Sequence, residues 1–111
     1  MIITRTEPYV KDEIDKSKEC FDVYIKTVMD IKKRICCAGM DRNFEGEKIL
    51  LSQGSSQSDI WGGGIDLETK EIDYNSFINI RPSENLSNEI QDPAIRKKYE
   101  ELTQYFFAEI L

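Results

Sequence analysis

A chain of 111 residues has room for one hydrophobic core and is too short for two, so residues 1–111 are expected to form a single domain. Its formal net charge of −6, from 21 acidic and 15 basic side chains, argues against nonspecific binding of nucleic-acid phosphates, which needs a basic surface. Histidine is absent, and that excludes Ser-His-Asp and Cys-His catalysis, the H-E-x-x-H zinc site and the usual switch near neutral pH.

The first residues, Met1 to Thr4, read as a short β-branched strand. They carry no long apolar run, so neither a signal peptide nor a membrane-spanning helix is expected, and the expected location is cytoplasmic. Glu7-Pro8 opens a helix on this reading, with proline in the first turn and acids near the positive end of the dipole. Cys20, Cys36 and Cys37 are odd in number and lack C-x-x-C spacing, which suits reduced cysteines used as small packing residues.

Phe21, Tyr24, Ile25, Val28, Ile31 and Ile35 fall at steps of three and four residues. That spacing predicts a helix, with Lys32, Lys33 and Arg34 near its C-terminal end and Gly39 as its stop. Asp41 to Glu47 is polar, a loop or short strand, and Glu45 to Ser52 is a short helix ending at Gly54. Asp41, Glu45 and Glu47 offer carboxylates beside Asp59, but no spacing among them demands a metal and none is expected.

The only Trp then stands directly before three glycines, in Asp59-Ile60-Trp61-Gly62-Gly63-Gly64. Each glycine costs roughly 0.5–1 kcal/mol relative to Ala in a regular element, so something must approach this backbone closely or bend it. Two readings are open: a nest of N–H groups for an anion, or a bulge or bend that lets Trp61 enter the core and brings strands close together. The run matches neither phosphate-binding glycine pattern.

Ile60 to Leu67 and Glu71 to Arg81 read as antiparallel strands joined by the turn Leu67 to Lys70. Alternation places Ile72, Tyr74, Ser76, Ile78 and Ile80 on the core face, and Asp73, Asn75, Phe77, Asn79 and Arg81 on the other. On that outer face Arg81 could take a carboxylate or phosphate with Asn79 fixing orientation; equally, it could pair with Asp59 or Glu84. The polar loop Ser83 to Gln91 either extends that site or is solvated turn chemistry. Asp92-Pro93 opens the last helix as N-cap and first residue, with Ile95, Tyr99, Leu102, Phe106 and Ile110 as its buried stripe. Tyr99, Tyr105, Phe106 and Phe107 are read as core and as a dimer contact.

Leu51-Ser52-Gln53-Gly54-Ser55, Gln57-Ser58-Asp59-Ile60-Trp61-Gly62, Ile78-Asn79-Ile80-Arg81-Pro82 and Asp92-Pro93-Ala94-Ile95-Arg96 together resemble a family of small bacterial proteins classified only as a domain of unknown function. Lys26 to Ile31, closed by Ala38-Gly39, is similar as well. The family pattern has a histidine-containing stretch near Met40 to Glu47; here Asn43 stands where that histidine falls and Arg42 where an apolar residue does. The resemblance implies one compact domain and supplies no activity.

The expectation is an α+β fold, a small antiparallel sheet with a central hairpin packed against two or three helices. The expected role is a small cytoplasmic binding or protein-interaction module, antitoxin-like or accessory, whose partner is another protein or a second copy. Cofactor, membrane and nucleic acid are not expected, and catalysis is not the leading reading. The alternative is an anion- or nucleotide-binding protein, with hydrolysis as its extension. Asp59, Trp61, Gly62, Gly63, Asp73, Asn79, Arg81 and Ser83 are the candidate site residues.

Overall fold

Two aspartates start the hairpins from which the sheet is built, in a computed structural model that describes all residues from Met1 to Leu111. Asp30 Oδ1 accepts the N–H groups of Lys32 (3.0 Å) and Lys33 (2.8 Å), and Asp66 Oδ1 those of Glu68 (2.9 Å) and Thr69 (3.2 Å). Each turn closes on a residue in the left-handed region, Arg34 (φ 59°) and Lys70 (φ 64°). Ser55 Oγ holds the other oxygen of Asp30 at 2.6 Å, so this fully buried carboxylate is satisfied on both sides.

The strands are β1 (Ile3–Arg5), β2 (Tyr24–Asp30), β3 (Ile35–Ala38), β4 (Ile60–Asp66) and β5 (Glu71–Asp73), and the helices α1 (Lys11–Ser17), α2 (Asn43–Ser52) and α3 (Pro93–Phe106). All pairings are antiparallel, in the order β1-β3-β2-β4-β5. The fold is therefore α+β, a five-stranded antiparallel sheet with three helices. Its radius of gyration, 12.6 Å, is close to the roughly 13 Å of a compact chain this long.

Helices cover the sheet on both faces. Tyr9 and Ile14 from the α1 region and Tyr99, Leu102 and Phe106 of α3 pack on Ile25, Met29, Cys36, Trp61 and Ile65. Leu50 of α2 packs on Val28, Cys37 and Ile60 from the other side. Gly46 permits this: a Cβ there would stand 2.8 Å from Met40 Cε and 3.0 Å from Val28.

Phe21 to Ile35 is a hairpin, which corrects the helix read from its spacing. Because β2 is buried on both sides, its apolar residues lose the alternation that marks a half-buried strand and fall at helix-like intervals by accident. The cations Lys32 to Arg34 crown the turn between β2 and β3. The short helix near Glu45 is present, beginning at Asn43, and Gly54 follows it with φ 97°. The last helix starts as expected, with Asp92 Oδ1 accepting from Ala94 N (2.8 Å) and Ile95 N (3.4 Å) and Pro93 in the first turn.

The strand expected from Glu71 to Arg81 ends at Asp73. A 3-10 turn, Phe77–Asn79, replaces its second half, and the outer face read from alternation does not exist. Asn79 is fully buried and Arg81 is 5% exposed, while Phe77 is 82% exposed. Tyr99, Phe106 and Phe107 are enclosed by their own chain, leaving Tyr105 as the exposed member of that cluster. No helix is long and apolar enough to cross a membrane.

Candidate functional site

Strand β4 pairs with β2 along its whole length, Tyr24↔Asp66 to Asp30↔Ile60, but β5 covers only Gly64 to Asp66 on its other side. The backbone from Ile60 to Gly62 is thus an open edge in the interior, where unpaired N–H and C=O groups are costly. Side chains close it. Asn79 Oδ1 accepts the N–H of Gly62 at 2.9 Å, and Asn79 Nδ2 donates to the carbonyl of Gly62, also at 2.9 Å. One carboxamide thereby makes both bonds that a neighbouring strand residue would make. The Arg81 guanidinium donates to the Ile60 carbonyl and stacks on the Trp61 ring, 4.0 Å from its centroid.

Asn85 holds the loop that carries these groups. Its Nδ2 donates to the carbonyls of Asn79 (3.0 Å), Ser87 (2.8 Å) and Glu89 (2.8 Å), and Gln91 N donates to its Oδ1 at 3.0 Å. Arg81 and Asn85 exchange backbone hydrogen bonds, and exposed Ser83 sits at the tip between them with φ 69°.

The glycine run is a regular strand with an unbroken register, so no bulge is present. None of the three takes a positive φ, and their use is close approach. A Cβ at Gly62 would lie 2.8 Å from Ser76 Oγ. One at Gly63 would collide with the Asp73 carbonyl and meet Tyr99 Oη at 3.0 Å, and one at Gly64 would strike the Tyr24 hydroxyl. Those hydroxyls are themselves engaged: Tyr24 donates to Asp73 Oδ2 at 2.6 Å, and Tyr99 and Thr27 share a hydrogen bond of 2.5 Å.

The eight candidate residues therefore separate. Trp61, Gly62, Asn79 and Arg81 form the edge closure; Gly63 and Asp73 belong to the tyrosine contacts; Ser83 lies out on the loop tip. Asp59 ends a 3-10 turn and accepts Ile31 N on its carbonyl at 2.9 Å. No ion pair joins Arg81 to Asp59 or Glu84. Burial lowers the pKa of the Arg81 guanidinium from its usual value, against the opposing fields of Glu84, Glu47 and Asp59. Arg81 Nε and Nη1, Trp61 Nε1 and Glu47 Oε2 are buried without hydrogen-bond partners.

The open site lies beside this closure. A cleft of about 430 Å³ is lined by Lys26, Arg42, Asn43, Phe44, Ser76, Phe77 and Ile78. It runs between the start of α2 and the 3-10 turn, on the sheet face that α2 covers. Asn43 is fixed by its own bonds, Nδ2 donating to the Thr27 carbonyl at 3.0 Å and the Gly63 carbonyl at 3.3 Å. Neither Lys26 nor Arg42 forms an ion pair, and Lys26 Nζ rests 5.3 Å from the Phe21 ring centroid. Phe44 is 51% exposed. Of these lining residues the sequence reading placed Phe77 on the outer face of a strand, put Ser76 and Ile78 on its core face, and marked Arg42 and Asn43 as departures from the family pattern, without joining them into one site. Lys26 was hidden by the helix reading of its segment.

The chain matches the family described as Protein of unknown function (DUF5674) over residues 1–106. It belongs to that family. No curated protein and no solved structure is found to match the chain. Family membership accounts for the whole chain but for its last residues and carries no assigned activity with it.

Proposed function

We propose that this member of the DUF5674 family is a protein-interaction module, and that its partner docks on the cleft between the start of α2 and the 3-10 turn. The observation that carries this reading is the exposure of two phenylalanines on the rim of one cleft, Phe77 at 82% and Phe44 at 51%. An unsupported aromatic ring on a surface is costly in water and is a common anchor of protein interfaces. Both rings keep half or more of their surface exposed, so they offer apolar area to a partner's surface.

The test is photo-crosslinking in cells with a benzophenone amino acid at position 77, and at Val10 as the control. Val10 is 53% exposed and precedes α1, in the layer on the opposite face of the sheet. A discrete crosslinked species from position 77 and none from position 10 is the expected result. Identical patterns from both positions, or none from 77, would refute the proposal.

The rival reading, an anion or nucleotide site at Gly62, Gly63 and Arg81, draws support from the two unpartnered guanidinium nitrogens of Arg81. It requires Arg81 to leave Trp61 and Asn79 to release the Gly62 N–H. A thermal-shift screen with phosphate-bearing ligands separates the two, since that site predicts a shift that Arg81→Ala abolishes.

A further inference from the structure

We infer that the segment docked on this cleft is an acidic stretch of a partner protein carrying two apolar anchor residues; the inference rests on the interaction-module reading and names the partner's chemistry. Charge is the first argument. Although the chain is net acidic, the cleft is lined by Lys26 and Arg42 with no carboxylate side chain among its lining residues. Neither cation has an ion-pair partner within the chain, whereas Arg5, Lys18 and Arg96 each have one. An acidic segment is attracted by both cations.

Shape is the second argument. On the far side of Phe44 lies another hollow, of about 550 Å³, lined by Ile2, Phe44, Glu45, Lys48, Ile49 and Ser52. Phe44 lines both, so its ring forms a ridge between two neighbouring hollows. Lys48, like Lys26 and Arg42, forms no ion pair. Two hollows divided by one ring, the first with two unpaired cations and no carboxylate and the second with Lys48 beside Glu45, fit a length of polypeptide that sets its acids at the first and one apolar anchor on either side of Phe44. A compact small ligand would fill only one of them.

Three short fluorescent peptides test the inference by polarisation against the full chain: acidic with two leucine anchors, the same with each acid replaced by lysine, and acidic without anchors. The first should bind about tenfold or more tightly than the others, and added salt should weaken it. The double variant Lys26→Glu with Arg42→Glu should lose that preference and Phe77→Ser should weaken binding, with an unchanged circular dichroism spectrum required of each variant as proof that the fold is kept. Equal affinity for the acidic and basic peptides, or undiminished binding by the double variant, overturns the inference. If position 77 crosslinks a partner while no acidic peptide binds, the acidic-segment inference fails and the interaction-module reading stands. A dimer in light scattering that Phe77→Ser dissolves also overturns the inference, because the occupant is then a second copy of this chain.

Discussion

Replacing Asn79 by alanine should cost the protein about 3 kcal/mol, because one carboxamide substitutes for a missing strand. The variant leaves the N–H and C=O of Gly62 without partners in a fully buried position. An orphaned buried donor or acceptor costs roughly 1–3 kcal/mol, so two of them at one residue give about 3 kcal/mol near the low end of the range. The other carbonyls Asn79 reaches are less affected: Asn88 still accepts Ser76 N at 3.0 Å and Tyr74 still accepts Ile90 N at 3.1 Å. At about 4 °C per kcal/mol for a chain of this size, the melting temperature should fall by roughly 12 °C. Asn79→Asp is the sharper comparison. It keeps the acceptor for Gly62 N–H but sets a second carboxylate oxygen against the three carbonyls that Nδ2 now serves, so it should be no more stable than the alanine variant. Urea denaturation followed by the fluorescence of the single, buried Trp61 measures both. A loss below about 1 kcal/mol for Asn79→Ala would refute the edge-closure argument.

Further outcomes follow from the same contacts. Gly63→Ala should destabilise more than Gly54→Ala, although only Gly54 has a positive φ (97°), because a Cβ at Gly63 meets the fixed Asp73 carbonyl while one at Gly54 has only Lys33 Nζ at 3.8 Å; parallel thermal melts decide this, and the reverse order would contradict it. Burial, reinforced by the hydrogen bond to Glu100, pushes the Tyr74 phenol up to about 12 from 10.0, and burial likewise raises Tyr9, Tyr24 and Tyr99. The fold therefore holds these phenols protonated, and the stability they give is complete below pH 10, then lost as pH rises, for Tyr74 by about 12. Absorbance at 295 nm should show Tyr9, Tyr24 and Tyr99 ionising only as the circular dichroism collapses, with Tyr74 delayed to about pH 12; ionisation of these phenols near pH 10 with the fold intact would be the opposing result. Burial also raises the Cys36 and Cys37 thiols, so a thiol reagent should modify one cysteine of the folded chain, the exposed Cys20, and all three only after unfolding.

What the sequence made legible was chemistry that acts within a few residues. Asp92-Pro93 starts a helix because the carboxylate reaches N–H groups two and three positions on, and Leu67 to Lys70 turns because Asp66 does the same for Glu68 and Thr69. Long-range burial was not legible. Whether Tyr24 to Asp30 is helix or strand depends on α2 and α3 covering both faces of the sheet, and neither helix is encoded in that segment. The cleft fell outside the reading for the same reason, since Lys26, Arg42 and Phe77 meet only once the hairpin and α2 are placed.

The glycine run shows how a local signal is right about its cause and silent about its neighbour. Its composition required a close approach, and the approach is real on both faces, from Ser76 and Tyr24 on one and Tyr99 on the other. Asn79 and Arg81 are partners of that same strand, but by a route alternation cannot express. Strand β4 spans Ile60–Asp66 and its outer neighbour only Glu71–Asp73, so part of the longer strand's edge must find hydrogen bonds elsewhere. A polar pair following a strand that stops short of its neighbour is well placed to supply them, and that placement, more than periodicity, explains why an amide and a guanidinium lie buried at 79 and 81. The surface left exposed is then the one those buried groups do not use, where Phe77 is turned outward by the very turn that sends Asn79 in.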